Sequence, residues 1–272
     1  MQRKVHRFDN GILVYEDHLI PVQKERYKKH NVHEAEEEDI FIHLIKSLPP
    51  KGCFVNVGSA IGYYPLLALK LAPGLKIIAL EPLKLHRRWF RENLALNGFF
   101  AGDITLRREG LYSSKGYRDF LEQGYGSKVQ LENRKDKEAL SGLQLVNHLL
   151  RKNFFLKNRR KDKKISMIKT ITLDQFILSL KQPVDLLQMD VQGMEQEVLL
   201  GGENTLEEGT VKTFLIGTHN RNLHRKCIKL LEGFGYRVEY DLFDTVDQPD
   251  GIIVASKSVY KLENYSRGED NG

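Results

Sequence analysis

The chain has 272 residues, 41% of them hydrophobic, and a formal net charge of +6. This length allows one α/β domain with additions or two small domains, and the apolar fraction is ordinary for a globular protein. No run of about 18 apolar residues is present, so no transmembrane helix is expected, and the basic start lacks the apolar core of a signal peptide. Cys53 and Cys227 show no metal or redox spacing, so a reducing, cytoplasmic setting is expected.

Residues 1–50 are predicted to form an N-terminal extension containing a strand and a helix. Residues 11–15 have the composition of a strand, and residues 34–48 place apolar side chains on one helix face after an acidic first turn. His30, His33 and His43 lie near these acids. Their spacing matches no metal site, so we expect surface or capping histidines and predict no metal.

A nucleotide-binding βαβ unit follows this extension. Residues 54–57 and 77–80 are short apolar runs that indicate buried parallel strands. The first run ends in the turn 58–62, a helix is predicted over 63–71, and the second run ends at Glu81. Glycines in such a turn let the backbone approach a ligand, and the acid can accept hydrogen bonds from two ribose hydroxyls. The unit predicts a site for a cofactor that contains adenosine.

The glycine turn also indicates which cofactor binds. A dinucleotide site uses G-x-G-x-x-G, because a pyrophosphate must lie against bare backbone. Here only two glycines occur, separated by Ser-Ala-Ile. That turn suits a ligand without phosphates, such as S-adenosylmethionine. The predicted cofactor-binding residues are Asn56, Gly58, Ser59, Gly62, Tyr63, Glu81 and Asp190.

Strands and helices alternate through most of the remaining chain. Helices are predicted over 85–97, 173–180, 195–200 and 223–231, and strands over 103–107, 168–172, 184–190 and 211–218, with a final antiparallel pair at 236–240 and 251–255. This alternation predicts an α/β, Rossmann-like fold with a seven-stranded, mostly parallel sheet and helices on both faces. The predicted domain covers residues 51–260, and residues 261–272 form a polar tail.

A basic insertion is predicted at about residues 113–165, with one helix near residues 138–150. Its cationic run Arg151–Lys164 has two interpretations. It is either an electrostatic patch for nucleic acid, an anionic sugar or a membrane surface, or a solvated insertion with no partner. The pattern contains no signal of oligomeric state.

Two predicted strands end in residues that could carry chemistry. Asp190 and His219 should lie on adjacent strand ends, where ligands bind in open α/β sheets. We expect Asp190 to orient the reacting groups and His219 to act as a general base. Enzymes that methylate base amines often carry Asn/Asp-Pro-Pro-aromatic after the fourth strand, whereas this chain has Asp-Val-Gln-Gly. The pattern therefore favours O-methylation.

These motifs together resemble the FkbM family of S-adenosylmethionine-dependent methyltransferases. The matching residues span about residues 54–235 and are Val57–Tyr64, Glu81-Pro82, Glu92-Asn93-Leu94 with Asn97-Gly98, Thr172-Leu173-Asp174, Asp190–Glu195 and His219. The resemblance implies a class I methyltransferase fold and O-methylation of a sugar or another small hydroxylated natural product.

Three positions depart from the family's usual pattern. Asn56 stands where the family usually has Asp, and Gln192 and Gly217 stand where it often has Glu. The loss of carboxylates leaves a non-catalytic module with a methyltransferase fold as one alternative. An RNA methyltransferase is another, motivated by the basic run and a pI near 9.1.

Overall fold

The computed structural model of the chain describes residues 3–122, 128–129, 164–243 and 251–257. Its strands are β1 (Val5–Arg7), β2 (Leu13–Tyr15), β3 (Cys53–Val57), β4 (Lys76–Leu80), β5 (Ile104–Arg107), β6 (Gly110–Leu111), β7 (Gly116–Glu122), β8 (Lys128–Val129), β9 (Lys164–Ile171), β10 (Val184–Met189), β11 (Val211–Thr218), β12 (Arg237–Phe243) and β13 (Gly251–Ser256). Its helices are α1 (Pro21–Lys29), α2 (Ala35–Ser47), α3 (Tyr63–Leu71), α4 (Lys84–Leu96), α5 (Leu173–Leu180), α6 (Glu195–Leu200), α7 (Glu203–Glu208) and α8 (Arg221–Gly233).

Seven strands form the central sheet in the order β12-β13-β11-β10-β3-β4-β5. The five strands from β11 to β5 run parallel, and β13 runs antiparallel to both of its neighbours. The strand order reverses between β3 and β10, and at such a reversal the carboxyl ends of parallel strands open a crevice. The predicted α/β fold, with its mostly parallel seven-stranded sheet, is confirmed.

Helices cover both faces of this sheet, and successive strand residues point to opposite faces. Phe54 belongs to a core shared with α2, α3 and α4, whereas Val55 and Val57 belong to a second core shared with the helices from α5 to α8. Burial on both faces explains why these strands are continuous apolar runs.

Several elements were not predicted from the sequence. The chain forms β1, α1 and α7, and a second sheet with the strand order β6-β9-β7-β8. In α1 the buried residues are only Gln23 and Tyr27, so the helix has no apolar stripe to detect. The second sheet includes residues 116–122 of the predicted insertion, so that part is a strand paired with β9.

The other predictions for the insertion and tail lie outside the described residues. These are the helix near residues 138–150, the run Arg151–Lys164 except its last residue, and the tail 261–272. None of the helices in the described ranges is long and apolar enough to cross a membrane.

Candidate functional site

A cavity of about 380 Å³ lies at the carboxyl ends of the central parallel strands. One wall comes from the residues that follow β3, β4, β10 and β11, and another comes from the second sheet. Residues 20–34 of the N-terminal extension contribute a third wall. The cavity therefore occupies the place that the reversal of strand order predicts.

The two glycines of the turn have different roles. Gly58 lines the cavity, has φ of 88°, and passes so close to strand β10 that a Cβ atom would overlap the backbone oxygen of Asp190. Gly62 is absent from the cavity lining, although it was predicted to bind the cofactor. Its φ is 89°, and a Cβ atom there would overlap the ring of Phe90. Gly62 is thus required for packing between the turn and α4.

Glu81 projects from the end of β4 and is only 4% exposed. Its Oε2 atom accepts the backbone N–H of Ala60 at 2.9 Å, and its Oε1 atom accepts that of Leu83 at 2.7 Å. A carboxylate has about four acceptor positions. Both oxygens are therefore held in place and still have lone pairs for ligand hydroxyls.

Asn56 lies in the cavity wall and is 2% exposed. It pairs in register with Gln188 on the neighbouring strand, and its amide nitrogen donates to the Gln188 Oε1 atom. Its own Oδ1 atom is buried with no hydrogen-bond partner among the described residues. Since an unpaired buried acceptor is costly, this atom fits a ligand that brings a hydrogen-bond donor into the cavity.

Two other residues predicted to bind the cofactor, one in the turn and one at the start of α3, are held by protein groups. Ser59 lines the cavity, and its hydroxyl donates to the backbone oxygen of Asn56 at 3.1 Å. Tyr63 is 3% exposed; its hydroxyl donates to Glu38 at 2.5 Å and accepts from Asn10 at 2.7 Å. Burial and the neighbouring Glu38 charge raise the pKa of Tyr63. Its hydroxyl therefore anchors the N-terminal extension.

Asp190 and His219 meet at the cavity, as the sequence predicted from their strand ends. The His219 Nε2 atom lies 2.9 Å from Asp190 Oδ1, which also accepts the side-chain amide of Gln192 at 3.0 Å. Burial opposes ionisation of Asp190, but the charge and hydrogen bond of His219 outweigh it and keep the pKa of that carboxyl below its usual value. The geometry provides an aspartate that orients an imidazole.

Glu195 extends this pair into a cluster of three side chains. It is fully buried, its Oε1 atom accepts the backbone N–H groups of Val191 and Gly193 at 3.0 Å each, and burial raises its pKa to about 7. Ligand atoms of Asp190, Glu195 and His219 all lie within 4.8 Å of one another. A single metal ion could bridge that spacing. Asp190 and His219 are joined by a hydrogen bond, whereas Glu195 Oε1 lies 3.8 Å from His219 Nε2 and Glu195 Oε2 is buried with no hydrogen-bond partner among the described residues.

The sequence did not indicate that the N-terminal extension contributes to the cavity. Arg26, His33 and Glu34 all line it. The prediction of a surface or capping role is wrong for His33, whose Nδ1 atom lies 2.6 Å from the Tyr27 hydroxyl. Burial, with the nearby charge of Arg26, lowers the pKa of His33 to about 3, so this ring is neutral. No periodicity or spacing marked these residues.

Comparison with known families matches residues 53–238 to the Methyltransferase FkbM domain. The chain belongs to the FkbM methyltransferase family. The resemblance seen in the sequence is thus confirmed, and the strand order of the central sheet agrees with the expected class I methyltransferase fold. The match begins at β3, so the N-terminal wall of the cavity lies outside the family domain.

The individual proteins that this member of the FkbM family resembles match it over a short stretch or at low sequence identity. A protein of Jannaschia sp. (strain CCS1) named "Putative methyltransferase" is 39% identical over 74 residues, which cover 27% of this chain and 25% of that protein. The chain thus spans about a quarter of the curated relative it matches. A precorrin-6y C5,15-methyltransferase from Geobacter metallireducens GS-15 gives a TM-score of 0.46 at 15% identity and covers 84% of this chain and 90% of that one. An rRNA methylase from Streptococcus thermophilus gives a TM-score of 0.46 at 11% identity. That match covers 80% of this chain and 94% of the rRNA methylase.

Proposed function

We propose that this methyltransferase transfers the methyl group of S-adenosylmethionine to a hydroxyl of a sugar or another small natural product. The observation that carries the proposal is the Asp190–His219 pair, joined at 2.9 Å in the wall of the cavity. A general base at this place is what the deprotonation of an attacking hydroxyl needs.

The cavity fits the proposed cofactor. Its volume of about 380 Å³ falls within the range of small-ligand sites. We assign the cofactor ribose to Glu81, whose carboxylate is held at the strand end, and the methionyl portion to Gly58 and Ser59. The unpaired Asn56 Oδ1 atom supplies an acceptor near the same turn.

S-adenosylmethionine supplies an electrophilic methyl group on a sulfonium centre. The protein contributes position and proton transfer. An imidazole that donates from Nε2 to Asp190 has its basic lone pair on Nδ1, so Asp190 fixes both the ring and its tautomer. His219 then takes the hydroxyl proton as oxygen attacks the methyl carbon and the carbon–sulfur bond breaks. Such a base typically contributes about 10²–10⁴ in rate.

A small acceptor is favoured by the way the cavity is enclosed. Residues 20–34 form a wall beside the strand ends, and this wall presents Gln23, Arg26 and Glu34. Polar and charged side chains of this kind suit the several hydroxyls of a carbohydrate. The proposal contains no metal, because the hydrogen bond between His219 and Asp190 orients the base without one.

The test begins with calorimetric titration of the full chain with S-adenosylmethionine, S-adenosylhomocysteine and NAD, followed by a screen of hydroxylated acceptors in the presence of EDTA. We expect binding of the first two ligands and no binding of NAD. His219→Ala should keep cofactor affinity and lower turnover by about 10²-fold or more.

His43→Ala is the matched control, because His43 is exposed on α2 and should have normal turnover. Absence of cofactor binding by the wild-type chain would favour the non-catalytic alternative. Unchanged turnover in His219→Ala would remove the base from the mechanism, and turnover only with added divalent metal would contradict the metal-free proposal.

A further inference from the structure

A buried carboxylate from outside the family domain contacts a side chain of the cavity wall. Glu37 belongs to the first turn of α2 and is 5% exposed. Its Oε1 atom accepts the side-chain amide of Gln188 at 2.9 Å. Gln188 in turn accepts the amide of Asn56, so the three side chains form one hydrogen-bonded relay. The proposed function gives Glu37 no role.

The position of Glu37 follows from the helix period. Residues 37, 41 and 44 lie on one helix face, and Phe41 and Leu44 belong to the core against the sheet. Phe41 contacts Phe54 of β3, with ring centroids 5.3 Å apart. One turn before Phe41, the same face reaches the strand end, where Asn56 follows Phe54 by two residues. Glu37 lies on the same helix face as this apolar stripe and is therefore placed beside Gln188.

The relay has a defined direction because Glu37 offers an acceptor to the Gln188 amide. The nitrogen of Gln188 must face Glu37, which turns its oxygen toward Asn56. Asn56 then donates through nitrogen, and its oxygen is left as the unpaired acceptor in the cavity wall. Without an acceptor at position 37, both amides could rotate by half a turn and present nitrogen at that place.

Glu37 can accept a hydrogen bond from Gln188 in either charge state. Burial, together with the charges of Glu34 and Asp190, raises the pKa of Glu37 well above its usual value. A protonated carboxyl still has a carbonyl oxygen that accepts from Gln188. The structure also leaves room for the second oxygen, because a Cβ atom at Gly217 would lie 3.3 Å from Glu37 Oε2. The absence of a side chain at position 217 lets Glu37 reach this place.

We infer that Glu37 is a positioning residue which, through Gln188, holds the Asn56 oxygen toward the cavity to accept a hydrogen bond from the amino group of S-adenosylmethionine. The inference rests on the proposed cofactor. It assigns the N-terminal extension a part in cofactor recognition and identifies the methionyl amino group as the group recognised.

The test compares two probes that differ in the amino-acid portion. S-adenosylhomocysteine carries the amino group, and 5′-methylthioadenosine keeps the adenosine and thioether but lacks it. Glu37→Leu should weaken S-adenosylhomocysteine about tenfold or more, since a hydrogen bond from a charged group is lost. Its affinity for 5′-methylthioadenosine should stay within about twofold of wild type. The measurement is titration calorimetry on the full chain.

Three further variants make the result specific. Glu37→Gln keeps a side-chain oxygen that can accept a hydrogen bond from Gln188. Its affinity for both probes should equal that of wild type. Gln188→Met interrupts the relay at its middle and should give the same selective loss, including when Glu37→Leu fails to fold. Asp39→Ala, on the exposed side of α2, is the matched control and should change neither affinity.

Each result separates the alternatives. Equal weakening of both probes in Glu37→Leu and Gln188→Met would mean a general structural role and would overturn the inference. Unchanged binding of S-adenosylhomocysteine in both variants would overturn it as well. Failure of the wild-type chain to bind either probe would refute the proposed cofactor itself. The wild-type titration is therefore done before any variant is made.

Discussion

Gly62 was predicted to bind the cofactor, but its surroundings show that it is required for packing. It precedes α3 with φ of 89°, a region that L side chains rarely adopt, and it lies against the ring of Phe90 on α4. The motif position thus couples the turn to a helix that is distant in sequence. Sequence inspection could find the glycine but not its neighbour.

Replacement of Gly62 by alanine should destabilise the protein more than a comparable change elsewhere. An alanine at positive φ costs about 1–2 kcal/mol of folding stability. Its Cβ atom also overpacks against Phe90, which typically costs about 1–3 kcal/mol more. Gly98→Ala is the matched control, because Gly98 has φ of 79° and nothing within 4 Å of an added Cβ. The measurement is urea unfolding of both variants. Equal losses would show that the Phe90 contact adds nothing.

The Thr172-Leu173-Asp174 motif has a structural role at the level of helices. The Thr172 hydroxyl accepts the backbone N–H of Gln175 and caps α5. Asp174 accepts the backbone N–H groups of Asn204 at 3.2 Å and Thr205 at 2.8 Å, and so caps the neighbouring α7. Burial opposes ionisation of Asp174, but these hydrogen bonds keep its pKa below the usual value. One short motif therefore positions two helices.

Removal of the second cap tests this interpretation. Asp174→Ala should lower the free energy of unfolding by about 1–2 kcal/mol, because backbone donors of α7 lose their acceptor. Cofactor affinity should be unchanged, since Asp174 is absent from the cavity lining. Glu203→Ala, in the exposed first turn of α7, is the control and should cost only a few tenths of a kcal/mol. A loss of cofactor affinity without a loss of stability in Asp174→Ala would contradict the structural role.

The elements that were predicted well are those whose burial produces a local pattern of apolar residues in the sequence. Strand β3 and helix α3 match the predicted ranges closely, because a strand covered on both faces is an apolar run and glycines mark the turn after it. The polar helix α1 and the strand pairing of the second sheet were missed, although the strand predicted over residues 168–172 coincides with part of β9. Residues 116–120 of β7 are at most partly buried, and the strand's partner β9 lies more than 40 residues later in the sequence.

The site was predictable only where it follows from strand order. Asp190 and His219 meet because their strands are neighbours in a parallel sheet, an arrangement that alternation of strands and helices implies. The approach of α2 to Gln188 depends on how the N-terminal extension packs, which no local pattern specifies. Glu37 did carry a signal, since a carboxylate repeats in phase with Phe41 and Leu44. The acids of that turn were instead interpreted as favourable charges at a helix N-terminus.

At the scale of the whole molecule, α4 attaches the N-terminal extension to the family domain. Asn97 donates to and accepts from the backbone of Leu13, and Asn93 accepts the backbone N–H of Tyr15. These asparagines belong to the sequence motif that marked the family resemblance. Arg3 adds an ion pair to Glu92 at 2.8 Å and another to Asp17 at 2.8 Å. Since residues 20–34 form a wall of the cavity, this attachment supports the site as well as the fold.

The ion pair predicts how this attachment responds to acid. The hydrogen bond from Arg3, reinforced by one from Arg88, lowers the pKa of Glu92 to about 2, below the value of about 4.3 in an unfolded chain. This carboxylate therefore stabilises the fold above about pH 4.3, and its contribution is lost as the pH falls towards 2. Glu92→Gln should cost about 1 kcal/mol at pH 7, a small value because the Arg3 side chain is 39% exposed and solvent screens the pair.

The difference between wild type and Glu92→Gln should shrink as urea unfolding is repeated at pH 7, 5 and 3, because protonation of Glu92 makes the two chains equivalent. Glu25→Gln is the matched control. Glu25 pairs with Lys28 at 2.7 Å, but its side chain is 70% exposed, so its removal should change stability little at any pH. A difference for Glu92→Gln that stayed constant down to pH 3 would mean that Glu92 acts through packing. The acid sensitivity of the N-terminal attachment would then have to come from another carboxylate.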